Sequence, residues 1–131
     1  MKELTVISKS KSLAVMAYKL YDSMQNQEKY TIGNQIYRSA ISVPSNIAEG
    51  SQRGSDKEFI RFINIARGSL TELKVQLEIL KECRFPNVDV YDKEFKDEGK
   101  KHEITLMLEL IDEIGKMTYG LILKLKAGGS K

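Results

Sequence analysis

The stretch SVPSNIAEG, residues 42–50, puts a proline in the middle of an apolar pattern that keeps helical time. Ile32, Ile36, Ala40, Val43 and Ile47 recur at spacings of three and four, the signature of one helix face. Pro44 has no amide to bond the carbonyl of Ala40, and its ring crowds that carbonyl. An interior proline costs about 3 kcal/mol or more. A helix that stopped at Val43 and restarted on Pro44 would lose the phase of its apolar face. The phase is kept, so a continuous helix kinked at Pro44 is expected, with hydroxyls such as that of Ser45 taking up freed carbonyls.

On either side of this stretch the punctuation predicts four helices. The second helix starts at Thr31 as N-cap and runs to about Gln52, where Arg53-Gly54 interrupts it. The third opens on Ser55-Asp56-Lys57-Glu58, a capping box, and its core face reads Phe59, Phe62, Ile63, Ala66, Leu70, Leu73, Leu77 and Leu80. Phe85-Pro86-Asn87 stops it, because the residue before a proline is pushed off helical angles. The first helix is expected from Ser8, its cap, to about Gln27, with Leu13, Met16, Ala17, Leu20 and Met24 inward. Residues 88–100 are charged and carry at most a helical turn or two after Asp89. The fourth helix is expected from Lys101 to Lys126, with Ile104, Met107, Leu108, Ile111, Gly115, Thr118, Ile122 and Leu125 on one face. The pattern shows no strand alternation and no repeat. It predicts an all-α, up-and-down four-helix bundle over residues 1–126, followed by a flexible tail, AGGSK, at 127–131.

A chain of 131 residues is long enough to bury a real core in a single domain. One cysteine, Cys83, allows no internal disulfide, which fits a reducing cytoplasm. Neither a signal peptide nor the ~20-residue apolar run of a membrane span is present, so no membrane role is expected. Net charge is +3 and unevenly spread: residues 1–20 carry four lysines against one glutamate, and residues 86–120 carry nine acidic against five basic side chains. Such asymmetry can orient a protein on nucleic acid, or be a plain solvated surface.

Catalytic constellations are not found. His102 is the only histidine, the Glu-x-x-His pairs of a di-iron bundle are missing, and no glycine-rich phosphate loop lies between a strand and a helix. A non-enzymatic protein without metal or other cofactor is expected. Two polar groupings stand out. Arg38, Ser42, Asn46 and Glu49 share one flank of the second helix, with Arg67 and Glu72 able to join from the third. They read as a hydrogen-bonded structural network rather than a functional site. Arg53, Lys57 and Arg61 gather at the turn into the third helix, where they either cradle a phosphate with the free helix amides or form a solvated helix end. No aromatic residue interleaves with them, so base stacking there is unsupported. Tyr37, Ile41 and Ala48 on the second helix, and Ile65, Val75 and Ile79 around Gly68 on the third, make both helices apolar beyond one bundle face. Self-association is the expected use of that surplus.

Residues 35–73, QIYRSAISVPSNIAEGSQRGSDKEFIRFINIARGSLTEL, closely resemble the core of the bacterial 23S rRNA intervening-sequence proteins, and DEIGKMTYGLILKLK at 112–126 resembles the last helix of that family. The resemblance implies an up-down-up-down bundle assembling as a ring-like homopentamer. It also implies kinship with the accessory proteins of diversity-generating retroelements, which bind nucleic acid and a reverse transcriptase. It brings no catalytic residue with it. The expected function is a non-enzymatic oligomeric scaffold associated with RNA or DNA. The alternative is a protein–protein interaction module with no nucleic-acid binding. Lys2, Lys9, Lys11, Lys124 and Lys126 would meet on one face if the first and last helices are neighbours.

Overall fold

In the computed structural model the backbone of residues 2–84 and 98–128 and the side chains of residues 5–84 and 102–128 are described. Four long helices carry the chain: α1 (Lys2–Asp22), α2 (Asn34–Ser51), α3 (Asp56–Arg84) and α4 (Glu98–Lys126). Among the described residues there is no strand.

The proline helix is continuous. α2 passes through Pro44 without a break, and Ile36, Ala40, Val43 and Ile47 are all fully buried on its inner face. Side chains take up the carbonyls around the proline: Ser45 Oγ donates to the Ile41 carbonyl at 2.8 Å and Asn46 Nδ2 to the Ser42 carbonyl at 2.8 Å. The inward positions expected of α3 are all buried, from Phe59 to Leu80. On α4, Ile114 and Leu121 are buried too, beyond the single stripe read from the sequence.

Helix starts differ from expectation in three places, α4 beginning at Glu98 rather than at Lys101. α1 begins at Lys2, so Ser8 lies inside it rather than capping it. Thr31 caps nothing. It sits in a π-helical segment, Lys29–Gly33, that follows the short turn Asn26–Glu28 and leads into α2, and its hydroxyl donates to the carbonyls of Gln27 and Glu28. Thr31 thereby bonds back into the preceding turn, a habit of hydroxyl side chains within helical segments. A Cβ on buried Gly33 would come within 2.5 Å of Met24 Sδ and 3.3 Å of the Glu28 carbonyl, so a larger residue there would have to push the Met24 side chain aside. The predicted box at α3 is half made: the Glu58 amide donates to Ser55 Oγ at 3.1 Å, while the Glu58 carboxylate accepts from Arg61 instead. Gly54, at φ +88°, turns the chain between α2 and α3 in a conformation that favours glycine. The expectations for residues 85–97 and 129–131 lie outside the described residues.

Each helix packs on its neighbours in sequence, and α1 also packs on α4, which closes the bundle. Pairs across the α2–α3 seam run in opposite directions. Gly50 meets Phe62, Ser42 meets Ser69, and Glu28, ahead of α2, pairs with Arg84 at the far end of α3. α1 and α2 are likewise antiparallel, with Tyr37 against Tyr18 and Tyr21 near the turn and Pro44 beside Lys11 farther from it. Arg67, in the first half of α3, bonds Gly115 and Thr118 in the second half of α4, as antiparallel neighbours would. The chain therefore runs up and down. One core of leucine, isoleucine, valine, alanine and methionine fills the space between the four helices.

Candidate nucleic-acid interface

Up-and-down running fixes which termini meet. The start of α1, the α2–α3 turn and the end of α4 lie at one end of the bundle. Lys9 of α1 and Glu113 of α4 form an ion pair at 2.8 Å, which shows that the two helices share a seam. The two basic groupings of the sequence therefore lie toward a single end. Lys124, Lys126, Arg53, Lys57 and Arg61 are exposed there, whereas exposed Lys11 stands midway along α1, on the side of Pro44.

The three residues at the turn are not equivalent. Arg53 Nη2 lies 2.8 Å from Glu49 Oε2 and Arg61 Nη2 lies 3.2 Å from Glu58 Oε1. Both guanidinium groups also cover one ring: Arg53 Cζ is 5.0 Å and Arg61 Cζ 4.5 Å from the centroid of Phe62. Nothing in the sequence hints that Phe62 serves these arginines, because its spacing marks it as core. Its ring holds both cations in place, and because it is itself buried no base can stack on it. Lys57 stands exposed on the first turn of α3. The hydrogen bond from Arg61, assisted by the charges of Arg61, Arg53 and Lys57, lowers the pKa of Glu58 below its ordinary value, against an opposing effect of burial.

The six residues of the polar row fall into separate groups. Ser42 meets Ser69 hydroxyl to hydroxyl at 2.8 Å, and Asn46 Nδ2 donates to Ser42 Oγ at 3.0 Å, a small knot between α2 and α3. Arg67 turns to the other seam, where Nη1 donates to the Gly115 carbonyl at 2.6 Å and to Thr118 Oγ1 at 2.9 Å, with the guanidinium 5.6 Å from the Tyr119 ring. Glu49 belongs to the Arg53 pair, and Arg38 and Glu72 are exposed on outer faces. Of the partners that complete these bonds, Ser69 carries no local signal in the sequence, and Thr118 is legible only as an inward position of the last helix. Each is distant along the chain from the residue it bonds.

Two grooves mark the outside. One, between α3 and α4, is lined by Arg67, Gly68, Lys74, Gly115, Lys116 and Tyr119. The other, between α1 and α2, is more apolar and has Val15, Tyr18, Tyr37, Ile41 and Pro44 in its walls. Among the described residues no three metal-ligating side chains cluster, and no helix is long and apolar enough to cross a membrane.

Residues 2–120 match the family model of the 23S rRNA-intervening sequence protein. The chain belongs to that family. It is also similar to the crystal structure of a protein of unknown function from the S23 ribosomal protein family of Bacteroides thetaiotaomicron. The two share 28% identity and a TM-score of 0.73 over 93% of this chain and 98% of that one. No curated protein matches this chain.

Proposed function

We propose that this family member is a non-enzymatic, homo-oligomeric four-helix scaffold that associates with RNA through the basic end of the bundle. The observation that carries it is the convergence of Lys124 and Lys126 with Arg53, Lys57 and Arg61 toward one end, reached from separate places in the sequence by the up-and-down path. Phosphate binding needs clustered cations without base-specific geometry, and the exposed groups here fit that need. The family description, which ties these proteins to intervening sequences of 23S rRNA, agrees with an RNA partner. DNA has the same phosphate chemistry. Self-association rests on the outward apolar residues of α2 and α3: Ile41, Ile65, Val75 and Ile79 are each more than 40% exposed. A ring of five, as the family resemblance implies, would multiply the basic end and raise avidity for a polyanion.

The test is binding of mixed-sequence RNA as a function of salt. Affinity should fall steeply as salt rises. Lys57→Glu combined with Lys124→Glu should weaken binding and flatten the slope by about one unit for each phosphate that is no longer neutralised. Absence of binding at low salt would overturn the RNA reading. A specific observation favours the second reading, an interaction module for a polypeptide such as a reverse transcriptase: the α1–α2 groove is apolar and open. Capture of a polypeptide by protein that does not bind RNA would decide for it.

A further inference from the structure

The geometry points to a site for a small phosphate monoester with a flat ring, in the groove between α3 and α4, gripped by an unused edge of Arg67. It rests neither on the RNA reading nor on self-association. Two other arginines of this chain show what that edge does. Arg61 reaches both carboxylate oxygens of Glu58 through Nε and Nη2, and Arg84 reaches those of Glu28 through the same two nitrogens. These nitrogens present parallel N–H groups that match the oxygens of a carboxylate or phosphate. In Arg67 the edge is left over. Its Nη1 is tied down by the Gly115 carbonyl at 2.6 Å and by Thr118 Oγ1 at 2.9 Å, while Nε and Nη2 have no partner among the described residues. A half-buried guanidinium anchored by one nitrogen is ordered before any anion arrives, so little entropy is left to lose on binding.

The surroundings select the anion. Lys74 and Lys116 line the same groove, both exposed and neither in an ion pair among the described residues. Asp112 is the one carboxylate in the lining, so Arg67, Lys74 and Lys116 outweigh it by two positive charges. A phosphate monoester carries about −1.5 to −2 near neutral pH and offsets that excess better than a carboxylate or a phosphodiester. Asp112 remains as an acceptor for a hydroxyl or amine of the ligand.

The ring has its own place. The groove encloses about 540 Å³, within the range of about 300–1,000 Å³ usual for small-molecule sites. Its bed is apolar, made by buried Leu70 and Ile111. Gly68 on one wall and Gly115 on the other leave room where a Cβ would meet nothing within 4 Å. A mid-helix glycine weakens its helix relative to alanine, and nothing inside the subunit takes the space gained. Tyr119, 55% exposed, closes one side, with the Arg67 guanidinium 5.6 Å from its ring centroid. Arg67 bonds Gly115 itself, so a ring seated in the notch carries its phosphate to the free edge.

Amide NMR of the full chain, titrated with adenosine monophosphate as the probe, tests this. The Gly68, Gly115 and Tyr119 signals should move together and saturate. Adenosine, without the phosphate, and ribose phosphate, without the base, should each bind about tenfold more weakly or worse. Arg67→Lys keeps the charge but removes the two-pronged edge, and should weaken binding by about tenfold. Gly115→Leu fills the notch and leaves every hydrogen bond in place, and should abolish binding. It decides the matter if Arg67→Lys fails to fold, and circular dichroism checks that each variant keeps its helices. Excess mixed-sequence RNA should leave the nucleotide in place. No saturable shift in the parent would overturn the site while leaving the RNA reading untouched. So would adenosine or ribose phosphate binding as tightly as the monophosphate, or a folded variant binding like the parent. Displacement of the nucleotide by RNA would overturn the small ligand and give the groove to the RNA backbone.

Discussion

The same helix, α3, makes two seams that close to different degrees. Toward α2 the backbones come so near that a Cβ on Gly50 would stand 2.6 Å from Phe62 Cβ and 3.3 Å from the Phe59 carbonyl. Small residues line that seam, and Ser42 and Ser69 touch across it. Toward α4 the seam is splayed. Gly68 and Gly115 border an open groove, a Cβ on either would meet nothing within 4 Å, and the long side chain of Arg67 spans the gap. A glycine in a helix thus has opposite meanings in the two seams. At Gly50 it allows close approach. At Gly115 it leaves a space inside the subunit unfilled.

The sharpest way to break this comparison is Gly50→Ala. The clashing atoms are a Cβ and a backbone oxygen, neither of which can swing away, so the helices must part. Overpacking of this kind lowers stability by about 1–3 kcal/mol. Urea denaturation should show an earlier midpoint at unchanged slope. A variant as stable as the parent would mean that the α2–α3 seam is looser than these distances imply. Arg67→Ala removes the bridge of the other seam. It deletes two hydrogen bonds from a charged donor, and a half-buried site is weakened by about 1.5 kcal/mol by that route. Made in a Thr118→Val background, the same substitution should cost nothing further only if the side-chain bond, not the Gly115 carbonyl, carries the coupling. Gly115→Ala should have the opposite sign. Replacing a mid-helix glycine by alanine in open space gains about 1 kcal/mol, so its melting temperature should rise while that of Gly50→Ala falls.

The two seams are unequally legible in the sequence. The 3.6-residue period locates the buried faces, because burial follows a local repeat: every inward position named on α3 is buried. It also carries α2 through Pro44, since phase survives a proline when the face beyond it is still needed for the core. Helix ends are less legible. α1 begins six residues before Ser8, and a π-helical segment absorbs the expected start at Thr31, because helix ends are settled by packing against other helices, as Gly33 is against Met24. The polar partners are the least legible. Ser42 finds Ser69 and Arg67 finds Thr118 only once the register between helices is set, and nothing near either residue in sequence encodes that register. The basic end shows the same division: its residues are plain in the sequence, while their meeting follows from topology.

Charge at the turn that joins α2 to α3 should matter less than either seam. The sequence puts Glu49 in a buried network, where leaving its partners unpaired would cost about 1–3 kcal/mol. In the structure its side chain is 53% exposed and pairs with Arg53 one turn away. An exposed pair of that spacing is worth about 0.3–0.5 kcal/mol. Glu49→Ala should therefore lie within about 0.5 kcal/mol of the parent, the reach of such a pair, and a larger drop would show that the turn is held by charge rather than by Gly50 and Phe62.

The smallest effect belongs to Glu58, and it is a matter of pH. The Arg61 hydrogen bond holds its carboxyl below the ordinary carboxylate range, with the charges of Arg61, Arg53 and Lys57 adding to it. A folded pKa below the unfolded one means that the pair contributes in full only where the carboxylate is ionised in both states. That contribution is present above the unfolded pKa and fades as pH falls through the lowered folded value. Because the group stands open to water, the solvent screens most of it. Carboxyl NMR titration should therefore find Glu58 low in the parent and higher in Arg61→Ala, with the two proteins differing in stability only marginally at neutral pH and still less in acid. An unchanged Glu58 titration in Arg61→Ala would assign the lowering to Arg53 and Lys57. The two arginines over Phe62 would then act as one field around the turn rather than as two separate pairs.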